Sequence, residues 1–167
     1  MKTLVIYYSN RGSTARIAKA IISATNSTGR ELIDSNSQTG KGMMTLALSA
    51  MLGWSSSLRK PDYNLDGFEN ILLMTPIWAG NPTPAMNTFL KKVNLRGKRV
   101  ILALVGAGTD NIQAADKLIK RVEANGGQVS EIIYLQGPSL GKDAVPLTET
   151  QVNAEAEKVI SKLHNKY

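Results

Sequence analysis

The opening stretch Lys2 to Ser9, KTLVIYYS, restricts the fold more than any other part of the chain. It is a short continuous run of residues that favour strands, broken by a glycine-containing turn and followed at once by Ser13 to Ala24. There Ala15, Ile17, Ala18, Ile21 and Ile22 recur at helical spacing, and Gly29 is the expected stop. A strand that is apolar without alternation needs cover on both faces, which places it inside a parallel sheet flanked by helices.

The same unit recurs along the chain. Arg30 to Asp34 is the expected second strand, and Asn70 to Thr75 (NILLMT) the third, with Pro76 ending it because proline cannot donate to a ladder. A helix is expected from about Pro84 to Val93, and Lys98 to Val105 reads as another buried strand. Asp110 can cap a helix over Asn111 to Ala124 that Gly126 and Gly127 terminate. Gln128 to Leu135 is the fifth strand, and Thr148 to Gln151 is a capping box opening the last helix. Between strands two and three, Met43, Leu46, Ala47, Ala50 and Met51 mark an amphipathic helix within the segment Ser35 to Pro61. Strands alternating with helices give an α/β fold with a parallel sheet covered on both faces, in a single domain spanning 1–167 with no internal repeat.

Composition narrows the chemistry. With 43% hydrophobic and 20% charged residues among 167, the chain can bury a core. The absence of cysteine excludes a thiolate nucleophile and a Cys-ligated metal, and the single His164 cannot build a multi-histidine site. No catalytic side-chain constellation and no metal site are expected, so any redox chemistry would come from a cofactor. The 20 basic residues exceed the 13 acidic ones, for a net charge of +7. They lie scattered as singles and pairs without interleaved aromatics, which argues against a nucleic-acid partner and suits an anionic cofactor or an acidic partner equally. No apolar run reaches the roughly 18 to 20 residues of a membrane span, and no signal-peptide pattern opens the chain, so a cytoplasmic protein is expected.

Three loops at strand ends have unusual composition. Ser9, Asn10, Arg11, Gly12, Ser13 and Thr14 bring hydroxyls, a glycine and free backbone N–H groups to the start of the first helix. That is either an anion site, with Arg11 supplying charge, or an ordinary capped turn. It matches neither a Walker A loop nor the GxGxxG fingerprint. Pro76, Ile77, Trp78, Ala79 and Gly80 hold an indole on a loop bounded by proline and glycine, where it either stacks on a ring or packs the loop down. Gly106, Ala107 and Gly108 carry little side chain, so a planar ligand can approach their backbone. Together the loops describe a site for a flat ring bearing a phosphate.

The stretches YYSNRGSTARIAKAI, TPIWAGNPTPAMNTFL and VILALVGAGTDN follow one another in the order and spacing of the flavodoxin-like family, which the chain resembles over most of its length. The resemblance implies a three-layer, doubly wound sandwich with a five-stranded parallel sheet in the order 2-1-3-4-5. It also implies FMN, with the phosphate in the loop Ser9 to Thr14 and the ring between the loops Pro76 to Gly80 and Gly106 to Thr109. The family's usual Ser/Thr-x-Thr-Gly-x-Thr pattern is altered, since Arg11 replaces its middle threonine and Ser13 stands where Asn is frequent.

Three functions follow from this resemblance. One is an electron carrier serving a redox partner protein. There Trp78 would stack on the flavin, and a carbonyl in the Ala79 to Gly80 region would accept a hydrogen bond from the reduced ring after a peptide flip eased by Gly80. The second is an FMN-dependent reductase passing electrons from NAD(P)H to a small acceptor such as a quinone, with Arg11, Arg59 and Lys60 attracting phosphates. The third is a binding module of the same fold that has lost its flavin.

Overall fold

A computed structural model describes residues 2–35, 56–106, 112–138 and 145–164. β1 (Thr3–Tyr8) leads into α1 (Ser13–Thr25) and β2 (Thr28–Leu32), and β3 (Asn70–Trp78) folds back on itself as β4 (Asn81–Pro82). Then come α2 (Pro84–Leu90), β5 (Arg99–Gly106), α3 (Ile112–Ala124), β6 (Gln128–Gln136) and α4 (Glu149–His164). The parallel strands lie in the order β2-β1-β3-β5-β6, and the two-residue β4 pairs antiparallel with β3 off this path. Among the parallel strands this is the expected order, the second strand outermost and the first beside the third.

The unbroken apolar character of the central strands β1, β3 and β5 is explained by two cores, one on each face. Leu4, Ile6, Ile71, Leu73, Leu102 and Leu104 pack against Met86 and Phe89 of α2 and Leu118 and Val122 of α3. Their neighbours in sequence, Val5, Leu72, Met74, Ile101, Ala103 and Val105, pack against Ile17 and Ile21 of α1 and Val159 and Ile160 of α4. Period-two alternation thus sends β1, β3 and β5 into both layers. Among the described residues no helix is long and apolar enough to cross a membrane.

Helix boundaries follow local chemistry. Thr83 caps α2, its hydroxyl accepting from the Met86 N–H at 3.4 Å, and Pro84 sits at the first helical position, where its missing N–H costs no bond. The capping box at α4 forms as expected: the Gln151 N–H donates to Thr148 Oγ1 at 3.3 Å, and the Thr148 N–H donates to Gln151 Oε1 at 2.8 Å. α3 ends in Gly126 at φ 82°, with the Gly127 N–H reaching back to the Val122 carbonyl at 3.0 Å.

Some expectations are corrected. α1 is stopped by Asn26 in the left-handed conformation (φ 51°, ψ 35°), while Gly29 lies inside β2, because asparagine can serve this cap as glycine does. The second strand is Thr28–Leu32, shifted toward the N-terminus of the expected range, and Asp34 lies beyond it in an isolated bridge to Leu58. Pro76 does not end β3, which continues to Trp78. Pairing of β1 with β3 stops at Tyr7 and Met74, so beyond Met74 that side of β3 is an edge, where a missing donor is tolerated. The expected helix containing Met43 to Met51 and the cap Asp110 lie outside the described residues.

Candidate cofactor site

The chain crosses from one side of β1 to the other between β2 and β3, so the point where strand order reverses lies between β1 and β3. Ligands of open α/β sheets bind beyond the carboxyl ends of the strands at such a point. Two of the expected loops flank it directly.

On the β1 side, Gly12 is the N-cap of α1 at φ 86°, ψ −21°, a left-handed backbone that favours glycine. No side chain caps the helix, and the first backbone donor engaged is the Arg16 N–H, bonded to the Gly12 carbonyl at 2.9 Å. The earlier N–H groups of the first turn therefore face the loop. Ser9 Oγ is buried and has no hydrogen-bond partner. Arg11 is exposed and has no ion-pair partner among the described residues. Unspent donors, an orphaned hydroxyl and a cation fit an anion at this position. Ser13 and Thr14 open this turn as buried residues, 8% and 3% exposed. Arg16 steadies the loop from behind, donating to the Leu147 carbonyl at 2.5 Å and to Glu149 at 2.6 Å.

On the β3 side, Pro76, Ile77 and Trp78 are strand residues of intermediate exposure. Trp78 meets Tyr8 of β1 edge-on, with ring centroids 6.0 Å apart and planes at 76°, so one aromatic pair spans the switch point. The indole packs on the core, as the second reading expects, and keeps a partly exposed surface. Burial, followed by the nearby Asp34 carboxylate, pushes the Tyr8 hydroxyl up to about 12. Trp78 pairs with Asn81 across a two-residue turn, and both turn residues have positive φ, Ala79 at 47° and Gly80 at 71°. This is a type I′ turn with a non-glycine residue at its first central position. The Ala79 carbonyl is already occupied, accepting from Asn81 Nδ2 at 2.7 Å.

The third loop begins at Gly106, the last residue of β5, whose carbonyl accepts from the Gly137 N–H at 2.5 Å. A Cβ on Gly137 would come within 3.2 Å of that carbonyl, so glycine permits the approach. Ala107 and Gly108 lie outside the described residues. Sequence reasoning missed Tyr8 as the partner of Trp78, as well as Asn81 and Lys117, which meet across 36 positions. Only the abutment of YYS with the first loop hinted at Tyr8.

No family model matches the sequence, and no curated protein matches it either. Solved structures do match. A candidate flavoprotein of Bacteroides uniformis is 22% identical, covers 92% of this chain and 96% of its own, and superposes with a TM-score of 0.73. A flavoprotein of Lactobacillus acidophilus, solved in complex with FMN, is 27% identical over 80% of this chain and 92% of its own, with a TM-score of 0.64. A flavodoxin, WrbA-like protein of Agrobacterium tumefaciens is 17% identical over 98% and 95%, with a TM-score of 0.64. The fold is flavodoxin-like. In this flavodoxin-like chain the Ser9 to Gly12 loop, Tyr8, Trp78 and the Ala79 to Gly80 turn gather at the switch point, with Gly106 at the end of the neighbouring strand. Among the described residues no group of His, Asp and Glu could hold a metal ion.

Proposed function

We propose that this chain binds FMN without a covalent link and carries electrons on it. The observation that carries the reading is the set of unspent polar groups at the start of α1, next in sequence to Tyr8, whose ring meets a partly exposed Trp78 across the switch point. The FMN complex of the 27% identical Lactobacillus protein supports it. The backbone N–H groups of Ser13 and Thr14, with Ser9 Oγ, would hold the phosphate, and Arg11 would balance its charge. Asn10 and Gly12 shape that loop. Trp78, with Pro76 and Ile77 behind it, would flank the ring, and Gly106, Ala107 and Gly108 would form the opposite wall.

Bound flavin would supply the electron transfer. The protein's own tasks are to fix the phosphate, orient the ring and exclude water. Tyr8 remains a neutral phenol in the ordinary pH range and so adds no charge beside the ring. The partner in this reading is a redox protein or a small acceptor. The net charge of +7 favours a second reading, a reductase that draws electrons from NAD(P)H and passes them to a quinone or similar acceptor.

Calorimetric titration of flavin-free protein with FMN and with riboflavin, followed by anaerobic potentiometry, tests both. FMN is expected to bind more tightly than riboflavin. Two separated one-electron steps would support the carrier, and a single two-electron step with NAD(P)H consumption would support the reductase. Failure to bind FMN would overturn both and leave a flavin-free binding module.

A further inference from the structure

The Ala79 to Gly80 turn is clamped from behind. Asn81 is 5% exposed and donates through Nδ2 to the Ala79 carbonyl at 2.7 Å, while its Oδ1 accepts from Lys117 Nζ on α3. An ammonium can only donate, so Lys117 fixes which end of the Asn81 amide faces it and leaves Nδ2 for the Ala79 carbonyl. Lys117 has no carboxylate partner among the described residues, so its charge is directed at this amide. The 79–80 peptide is trans, and with its carbonyl turned toward buried Asn81, the Gly80 N–H points the opposite way.

Turning that peptide over would convert the type I′ turn into type II′. The first central residue would keep its positive φ in a conformation that demands glycine, while the second would return to negative φ. Gly80 therefore does not ease the flip, because the strain falls on Ala79, already at φ 47°. This corrects the expected flip to an available carbonyl. The occupied carbonyl and the alanine oppose it together.

We propose that Lys117, acting through Asn81, is a positioning residue that locks the 79–80 peptide in one orientation, so that the turn offers the cofactor ring an N–H donor and withholds a carbonyl. The inference rests on the FMN reading. A donor matches oxidised flavin, whose peripheral ring nitrogen carries a lone pair, better than reduced flavin, where that nitrogen carries hydrogen. The locked turn thus favours the oxidised form, and releasing it should move binding toward the reduced form.

The test measures dissociation constants for oxidised FMN and for dithionite-reduced FMN in the wild type and in Ala79→Gly, Asn81→Leu, Lys117→Met and Lys117→Arg. Ala79→Gly and the charge-neutral Asn81→Leu should each shift the ratio toward reduced FMN by about 2- to 10-fold, the scale of one hydrogen bond. Lys117→Met should shift it the same way, although loss of a cation alone would disfavour a reduced, anionic flavin. Lys117→Arg should keep the wild-type ratio. If Asn81→Leu does not fold, Ala79→Gly at the exposed turn carries the test. FMN binding with an unchanged ratio in Ala79→Gly and Lys117→Met would overturn the lock and leave the FMN reading standing. A wild type that binds no FMN would overturn that reading, and the lock's role with it.

Discussion

The two loops beside the switch point treat their polar groups in opposite ways. The Ser9 to Gly12 loop leaves them open among the described residues: a helix start without a capping side chain, a buried hydroxyl without a partner, and an arginine without an ion pair. The Ala79 to Gly80 turn has its carbonyl taken by Asn81, which is in turn held by Lys117. A buried polar group left unmatched is costly, so the first loop is arranged for something that arrives later, whereas the second is complete without it. The open loop should govern how tightly a ligand is held, and the closed turn which form of it is preferred.

Gly12→Val attacks the open loop hardest, since a β-branched residue at φ 86° is strained by about 1 to 3 kcal/mol and displaces the helix start. FMN affinity measured by calorimetry should fall by about tenfold or more on that scale; an unchanged constant would move the phosphate elsewhere. Trp78→Ala tests the wall shared by both regions, with an expected loss of about 1 to 2 kcal/mol, or about 5- to 30-fold, for FMN and riboflavin alike. A loss confined to FMN would tie Trp78 to the phosphate instead of the ring. Arg11→Ala should cost only about 2- to 5-fold, as befits an exposed cation, and should affect FMN more than riboflavin. Equal losses would take Arg11 out of the phosphate role.

The smallest effect is seen only in alkali. The folded-state pKa of Tyr8 stands at about 12, above the ordinary value of 10.0, so its contribution to stability is complete below pH 10 and is lost as pH rises through 12. Tyr8→Phe should flatten the decline of stability between those limits, as read from urea denaturation at pH 9 and pH 11.5. An identical decline in the variant would assign it to other groups.

The central strands β1, β3 and β5 were legible because they are apolar on both faces, and α2 and α4 because each opens on a local signal, Thr83 with Pro84 and the box at Thr148. Misreadings arose where tertiary context outweighed a local rule. Pro76 stays in β3 because β1 has already ended alongside it, and Asn26 stops α1 before Gly29 is reached. Within the site, the open loop could be read from its own residues. The clamp could not, because Lys117 and Asn81 come together only when α3 packs beside the β3–β4 hairpin, and neither residue carries a pattern that names the other.

The edge-on contact between Tyr8 and Trp78 also gives the protein an optical gauge of its own crevice. Trp78 is one of only two tryptophans, so Trp54→Phe leaves a single indole emitter at the switch point, in reach of energy transfer from Tyr8. A ring that absorbs where indole emits would dim that signal on arrival, and its departure would restore it. Filling and emptying of the crevice can then be followed in real time without labelling the protein.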